Sequence, residues 1–154
     1  PILDAGPSDT GLESTVISLV GAPTVLRLGA TSVESLRKHL PDISMRVPQK
    51  QVDSPGTSTR HYAPKTPFYI WSDQGLTKDD GVLIFGTPAP EGADCVWDLR
   101  NDPVQAGKQL YAVLREMDQS HLRALYVVLP DEDGLRKKDW LAIMDRLHRA
   151  TQSR

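Results

Sequence analysis

Two small groups of polar residues in this sequence are of a type and spacing that could do chemistry. The first is Glu13-Ser14-Thr15 with Arg27, which stand at the two ends of a pair of apolar, β-branched runs. If those runs form a hairpin, the chain reverses once between them and both ends share one rim. Hydroxyls beside an always-charged guanidinium would then form a clamp for a carboxylate or a phosphate. The competing account is strong on the residues alone: Ser and Thr favour strand edges, and an Arg closing a strand is usually solvated. The second group is Arg60-His61-Tyr62, in a stretch interrupted by Pro48, Pro55, Pro64 and Pro67. A guanidinium, an imidazole and a phenol there could fold over an adenine and its phosphates. They could equally pin a linker to a domain surface, and the residues by themselves favour neither.

Other chemistries are excluded by pattern. The spacing Gly6-x-x-x-x-Gly11 lacks the Lys-Ser/Thr of a phosphate-binding P-loop, and Gly81 to Gly86 follows no nucleotide fingerprint. His39, His61, His121 and His148 are scattered, with no zinc-type spacing. Cys95 is the one cysteine, so there is no intrachain disulfide, and its apolar run reads as core more than as a nucleophile's setting. No metal site is expected from this sequence, and no Ser-His-Asp geometry can be argued from order alone.

The elements that must position the two groups fall into three stretches. Residues 1–47 begin with a turn-rich piece and continue through strands Ser14–Val20 and Pro23–Leu28, separated by Gly21-Ala22. Thr31-Ser32-Val33-Glu34 has capping-box spacing, with Thr31 as cap, and opens a helix that places Val33, Leu36 and Leu40 on one face before Pro41. Two strands and one short helix cannot close a core, so this stretch requires something to pack against: the rest of the chain, or a neighbour reached through its exposed strands. Residues 48–66 read as a proline-stiffened linker.

Residues 67–154 alternate strands and helices. Strands are expected at Phe68–Trp71, Val82–Phe85, Cys95–Trp97 and Leu125–Leu129. Asn101-Asp102-Pro103 starts a helix with Asp102 as cap, and Gly107, Leu110, Tyr111, Leu114 and Met117 share one of its faces. A last helix over about 139–151 turns Trp140, Met144 and Leu147 inward and carries Arg146, His148 and Arg149 near its end, where the helix dipole favours cations. Buried-looking strands with a helix crossing to the last one predict an α/β fold built on a small Rossmann-like parallel or mixed sheet.

Composition agrees with a folded protein. The chain has 154 residues, 39% hydrophobic and 25% charged, with 18 basic and 20 acidic side chains interleaved throughout. No basic stripe suited to nucleic-acid phosphates is present. No run of 18 apolar residues suggests a membrane span and no signal peptide is visible, so a soluble cytoplasmic protein is expected. The sequence opens without Met, directly into Asp4-Ala5-Gly6-Pro7, which reads as a cut from something longer or as a processed start.

Three blocks together carry a family resemblance: Asp4-Ala5-Gly6 with Gly11-Leu12-Glu13-Ser14-Thr15-Val16; Pro23-Thr24-Val25-Leu26-Arg27-x-Gly29-Ala30; and Ser54-Pro55-Gly56-x-x-x-Arg60-His61-Tyr62-Ala63-Pro64. In order and spacing they resemble two-domain threonylcarbamoyl-AMP synthases, and Gln109–Asp118 and Ile143–Ala150 resemble that family's small second domain. The resemblance implies that residues 1–47 are the end of a YrdC-like catalytic domain, with 67–154 the second domain. It implies L-threonine, bicarbonate and ATP with Mg²⁺ as reactants, and threonylcarbamoyl-AMP and pyrophosphate as products, for modification of tRNA. Ser14 would hold threonine, Arg27 the ATP phosphates and Tyr62 the nucleotide, with Arg60 and His61 as further linker contacts. The family's Lys-x-Arg and Ser-x-Asn blocks, which grip the nucleotide, are absent, so this stretch of chain alone is expected to be inactive. Leu28 replaces a usual Pro after the Arg, and Thr57-Ser58-Thr59 a usual Met-led triplet; neither change removes a donor or a charge. The alternative is a stand-alone nucleotide-binding or regulatory α/β module, with its ligand at the carboxyl ends of the strands.

Overall fold

A computed structural model describes residues 10–45, 63–130 and 140–151. They build two sheets. The smaller has three strands in the order β1 (Val16–Ser18), β2 (Thr24–Arg27), β3 (Ser44–Met45), with helix α1 (Val33–Arg37) between β2 and β3. The larger has four strands, β4 (Phe68–Ile70), β5 (Asp80–Ile84), β6 (Cys95–Asp98) and β7 (Ala124–Val127), ordered β4-β7-β5-β6 with every neighbouring pair parallel. Helix α2 (Pro103–Gln119) crosses from β6 to β7, and helix α3 (Leu141–Thr151) follows β7. The α/β expectation therefore resolves to a parallel sheet.

Each four-stranded element forms for a reason visible in its residues. β5 is buried along its whole length, as a central parallel strand covered on both faces must be. α2 begins where Asn101-Asp102-Pro103 predicts: the Asp102 side chain accepts hydrogen bonds from the Val104 and Gln105 amides at 2.9 and 3.2 Å, while Pro103 sets the first helical φ. Its buried stripe of Ala106, Gly107, Leu110, Leu114 and Met117 meets Leu83, Phe85, Leu125, Val127 and the α3 residues Ile143 and Leu147 in one core. Trp140, fully buried, stands edge-on to Phe85 with ring centroids 5.2 Å apart.

The three-stranded part is thin. Its core consists of Val25, Val33 and Ile43, edged by Ile17, Leu28, Leu36 and Leu40. Of the two alternatives the sequence leaves open, the structure shows it packing on the rest of the chain. Gly11, at φ +67°, lies so close to α2 that a Cβ there would overlap the Gly107 carbonyl and the Lys108 backbone. Gly107 in turn leaves room for the Thr10 carbonyl and Leu12, so two facing glycines let the 10–12 segment rest on bare helix.

Several details differ from the sequence reading. β1 stops at Ser18, and Leu19 and Val20 are 69% and 92% exposed at the hairpin tip. The cap of α1 is Ser32, whose hydroxyl accepts from the Ser35 amide at 3.2 Å; the Thr31 carbonyl accepts from the Thr15 hydroxyl. β3 was not foreseen: two exposed residues in a strand leave no periodic signature. Cys95 is half-buried, because β6 is an edge strand with alternating exposure. Arg146 is no solvated dipole cation; it is 5% exposed and reaches across to the smaller sheet. Among the described residues no helix is long and apolar enough to cross a membrane.

Candidate functional site

The rim of the small hairpin is a rigid platform. A bulge in β2 puts Val16 opposite Arg27 but Ile17 opposite Val25. In a regular strand Arg27 would share the face of buried Val25; the extra residue disturbs that alternation and re-aims the side chain. Below it, Gly29 presses against the 13–15 backbone so closely that a Cβ would overlap the Glu13 carbonyl oxygen and the Thr15 nitrogen. The Thr15 hydroxyl then accepts from the Gly29 amide at 3.1 Å and donates to the Thr31 carbonyl at 3.0 Å.

Ser14 and Arg27 meet on this platform. Arg27 Nε donates to the Ser14 carbonyl at 3.1 Å, and Nη2 lies 3.4 Å from the Ser14 hydroxyl. Ser14 is exposed and Arg27 half-buried, so a cation and a hydroxyl stand together where a small anion could reach them. Arg60, His61 and Tyr62 lie outside the described residues. The chain that leaves the linker is fixed: the Thr66 amide and hydroxyl donate to Asp118 Oδ1 at 2.8 and 2.9 Å. Burial alone would raise the Asp118 carboxyl, but these bonds, with those from Lys65, hold it below its ordinary value.

Directly behind the pair is a cluster that the sequence did not disclose. Arg146 Nε donates to Glu13 Oε2 at 2.9 Å and Nη2 to the Leu28 carbonyl at 2.7 Å, while Nη1 pairs with Asp145. Tyr111 donates its hydroxyl to the same Glu13 oxygen at 2.9 Å, and Asp145 is braced by Arg149 Nε at 3.0 Å. Burial would raise the Glu13 carboxyl; hydrogen bonds from its own backbone, Arg146 and Tyr111, with the Arg146 charge, bring it below its usual value. Burial, and then the bond to Glu13, push the Tyr111 phenol well above its usual range. Arg146 is raised as well: desolvation opposes its charge, but Glu13 outweighs it. The partners stand 133 residues apart in sequence, and an i,i+4 or i,i+3 search along α3 could not find them.

Two further places deserve comparison as ligand sites. A cavity of about 200 Å³ lies between the Leu28–Glu34 loop and the first residues of α2 and α3, walled by groups such as Leu12, Leu28, Val33, Val104 and Leu141. It is mainly apolar and touches neither Ser14 nor Arg27. At the carboxyl ends of β5 and β6, where a Rossmann-like sheet could take a phosphate, several loop amides are already engaged. Asp98 Oδ1 accepts from the Gly86 and Arg100 amides at 2.8 and 2.7 Å, and Asp102 occupies the start of α2. Among the described residues no group of three His, Cys, Asp or Glu side chains could hold a metal ion.

Comparison with known proteins gives a consistent answer. A protein-family profile described as "Threonylcarbamoyl-AMP synthase, C-terminal domain" matches residues 31–152. The threonylcarbamoyl-AMP synthase of Pyrococcus abyssi is 30% identical over 97% of this chain and 48% of its own length; that of Schizosaccharomyces pombe is 28% identical over 97% and 44%. The chain thus spans about half the length of these curated relatives. The crystal structure of P. abyssi Sua5 complexed with L-threonine superimposes with a TM-score of 0.75 at 24% identity, over 97% of this chain and 48% of that one. A P. abyssi Sua5 variant with an adjacent His and Tyr replaced by Ala gives 0.73 at 22%, over 97% and 47%. With most of its length matched by the profile, the chain belongs to the family of the threonylcarbamoyl-AMP synthase C-terminal domain.

Proposed function

We propose that this chain is the carboxyl-terminal portion of an L-threonylcarbamoyladenylate synthase and acts with a YrdC-like catalytic half. The reaction would carboxylate L-threonine with bicarbonate and join the carbamate to the α-phosphate of ATP, releasing pyrophosphate. The product would serve modification of tRNA. The observation that carries this reading is the Ser14–Arg27 pair, a hydroxyl and a guanidinium held side by side on a locked, solvent-accessible rim. Ser14 would bind threonine, and Arg27 would face the ATP phosphates and stabilise the charge that develops as pyrophosphate leaves. Both supply binding and orientation, with no proton transfer assigned to either.

The relatives' name and the L-threonine in the archaeal crystal structure support the substrate assignment. His61-Tyr62, with Arg60, would lie over the nucleotide as linker contacts, and an archaeal variant in which an adjacent His and Tyr are replaced by Ala is compatible with that reading. The Mg²⁺ that accompanies ATP would be held chiefly by the nucleotide's own phosphates; among the described residues no group of three His, Cys, Asp or Glu side chains offers it a protein cage.

The test is direct. This chain supplied with its catalytic half should release pyrophosphate from ATP only when both threonine and bicarbonate are present, and this chain alone should not. Arg27→Ala in the complete enzyme should lower ATP use by well over tenfold, from the loss of charge-assisted bonds of about 1.5–3 kcal/mol. Wild-type kinetics in that variant would remove Arg27 from the site. For the alternative of a stand-alone nucleotide module, the engaged Asp98 and Asp102 carboxylates at the strand ends are adverse, since they claim the amides that a phosphate needs.

A further inference from the structure

We propose that Arg146, on the last helix of the four-stranded domain, is a positioning residue for the Ser14–Arg27 pair of the other sheet. Its guanidinium holds Glu13, the residue before Ser14, and the carbonyl of Leu28, the residue after Arg27. One planar group therefore grips both strands of the rim immediately beside the two side chains that face outward. Arg146 is buried and Glu13 half-buried, 5% and 20% exposed at their side chains, so solvent weakens the grip less than it does a surface pair. Tyr111 from α2 fixes the same Glu13 oxygen from a second direction, and the Asp145–Arg149 bridge holds the remaining face of Arg146. Only an arginine spans this distance in two directions: its fork presents donors along separate axes, whereas a lysine ammonium is a single point of contact.

The consequence is a function for the second domain. The Ser14–Arg27 unit, whose internal spacing is held by the Arg27 bonds to Ser14, is oriented from outside the hairpin, by a residue that bonds to their neighbours Glu13 and Leu28. The Gly29 and Thr15 contacts lock the two backbones together, and Arg146 locks that unit to α3. A displacement of α3 would thus shift both substrate contacts at once. The proposal rests on the reading of Ser14 and Arg27 as threonine and ATP contacts, and its test separates the two.

In the complete enzyme, Arg146→Lys should raise the KM for L-threonine and the KM for ATP together, each at least fivefold, while kcat at saturation stays within twofold. A merely structural role would lower the fraction of folded enzyme and leave both KM values unchanged. Arg123→Ala supplies that control, because it breaks the pair with buried Asp80 at 2.8 Å without involving the hairpin; its KM values should not move. Glu13→Gln attacks the same grip from the other side, and combined with Arg146→Lys it should add little, as partners in one interaction do. Amide hydrogen exchange needs no substrate: protection at residues 13–16 and 27–30 should fall at least tenfold in Arg146→Lys, with β5 and β7 unchanged. Unaltered KM values or unaltered exchange at the rim would overturn the positioning role. A wild-type enzyme that releases no pyrophosphate with threonine would instead overturn the functional reading, and the exchange result would still decide whether Arg146 sets the rim.

Discussion

The two sheets of this chain treat their polar groups in opposite ways. In the four-stranded domain, three carboxylates near strand ends are consumed locally: Asp98 by two loop amides, Asp102 by the first turn of α2, Asp80 by Thr77 and Arg123. That domain has a deep core and carboxylates where a phosphate would otherwise sit. The three-stranded part has hardly any core, yet it exposes Ser14 beside Arg27. It can present them because its rigidity is borrowed, through Gly11 against α2 and Glu13 against Arg146 and Tyr111. Stability and chemistry are divided between the sheets, and the joint between them is polar and buried.

This contrast can be broken from several directions. The largest effect is expected from Leu110→Ala, in the shared core of α2, which should cost about 2–5 kcal/mol. Because the hairpin rests on α2, urea unfolding should show both parts melting together; a hairpin that melts separately would mean its rigidity is its own. Next is pH. Glu13 has a lowered carboxyl in the folded chain, so its contribution is complete above the ordinary carboxylate range and disappears as pH falls through and below about 4.3. The groups that face it are Arg146 and Tyr111, with Asp145 behind Arg146. Exchange protection at the rim should therefore drop in acid before that of β5, and Glu13→Gln should flatten the dependence. Asp102→Ala should cost about 1 kcal/mol through the lost cap, read as a lower urea midpoint with an unchanged slope. The smallest change is Leu19→Ser at the exposed tip, expected within about 0.5 kcal/mol; a larger loss would mean that the tip is covered in solution.

How much of this was legible in the sequence depended on distance along the chain. The strands of the larger sheet announce themselves as apolar runs, and Asn101-Asp102-Pro103 fixes the start of α2 to the residue, because caps and proline act locally. The adjacency of Ser14 and Arg27 was legible too, since a hairpin's length alone brings its ends together. The Arg146 cluster was not. Near the end of an amphipathic helix an arginine reads as a solvated cation, and only the folded chain brings Glu13 to it. The cap of α1 is Ser32 although Thr31-x-x-Glu34 had the better spacing, and the Thr31 carbonyl accepts from the Thr15 hydroxyl.

The buried pairing of Arg146 with Glu13 and Leu28 also bears on how this protein can be cut and recombined. Dividing the chain between the two sheets would separate the Arg146 guanidinium from its Glu13 and Leu28 partners, and transplanting the larger sheet onto a different catalytic half would do the same. The transferable cassette therefore includes the hairpin, and a chimera should carry Glu13, Leu28, Tyr111 and Arg146 from a single parent.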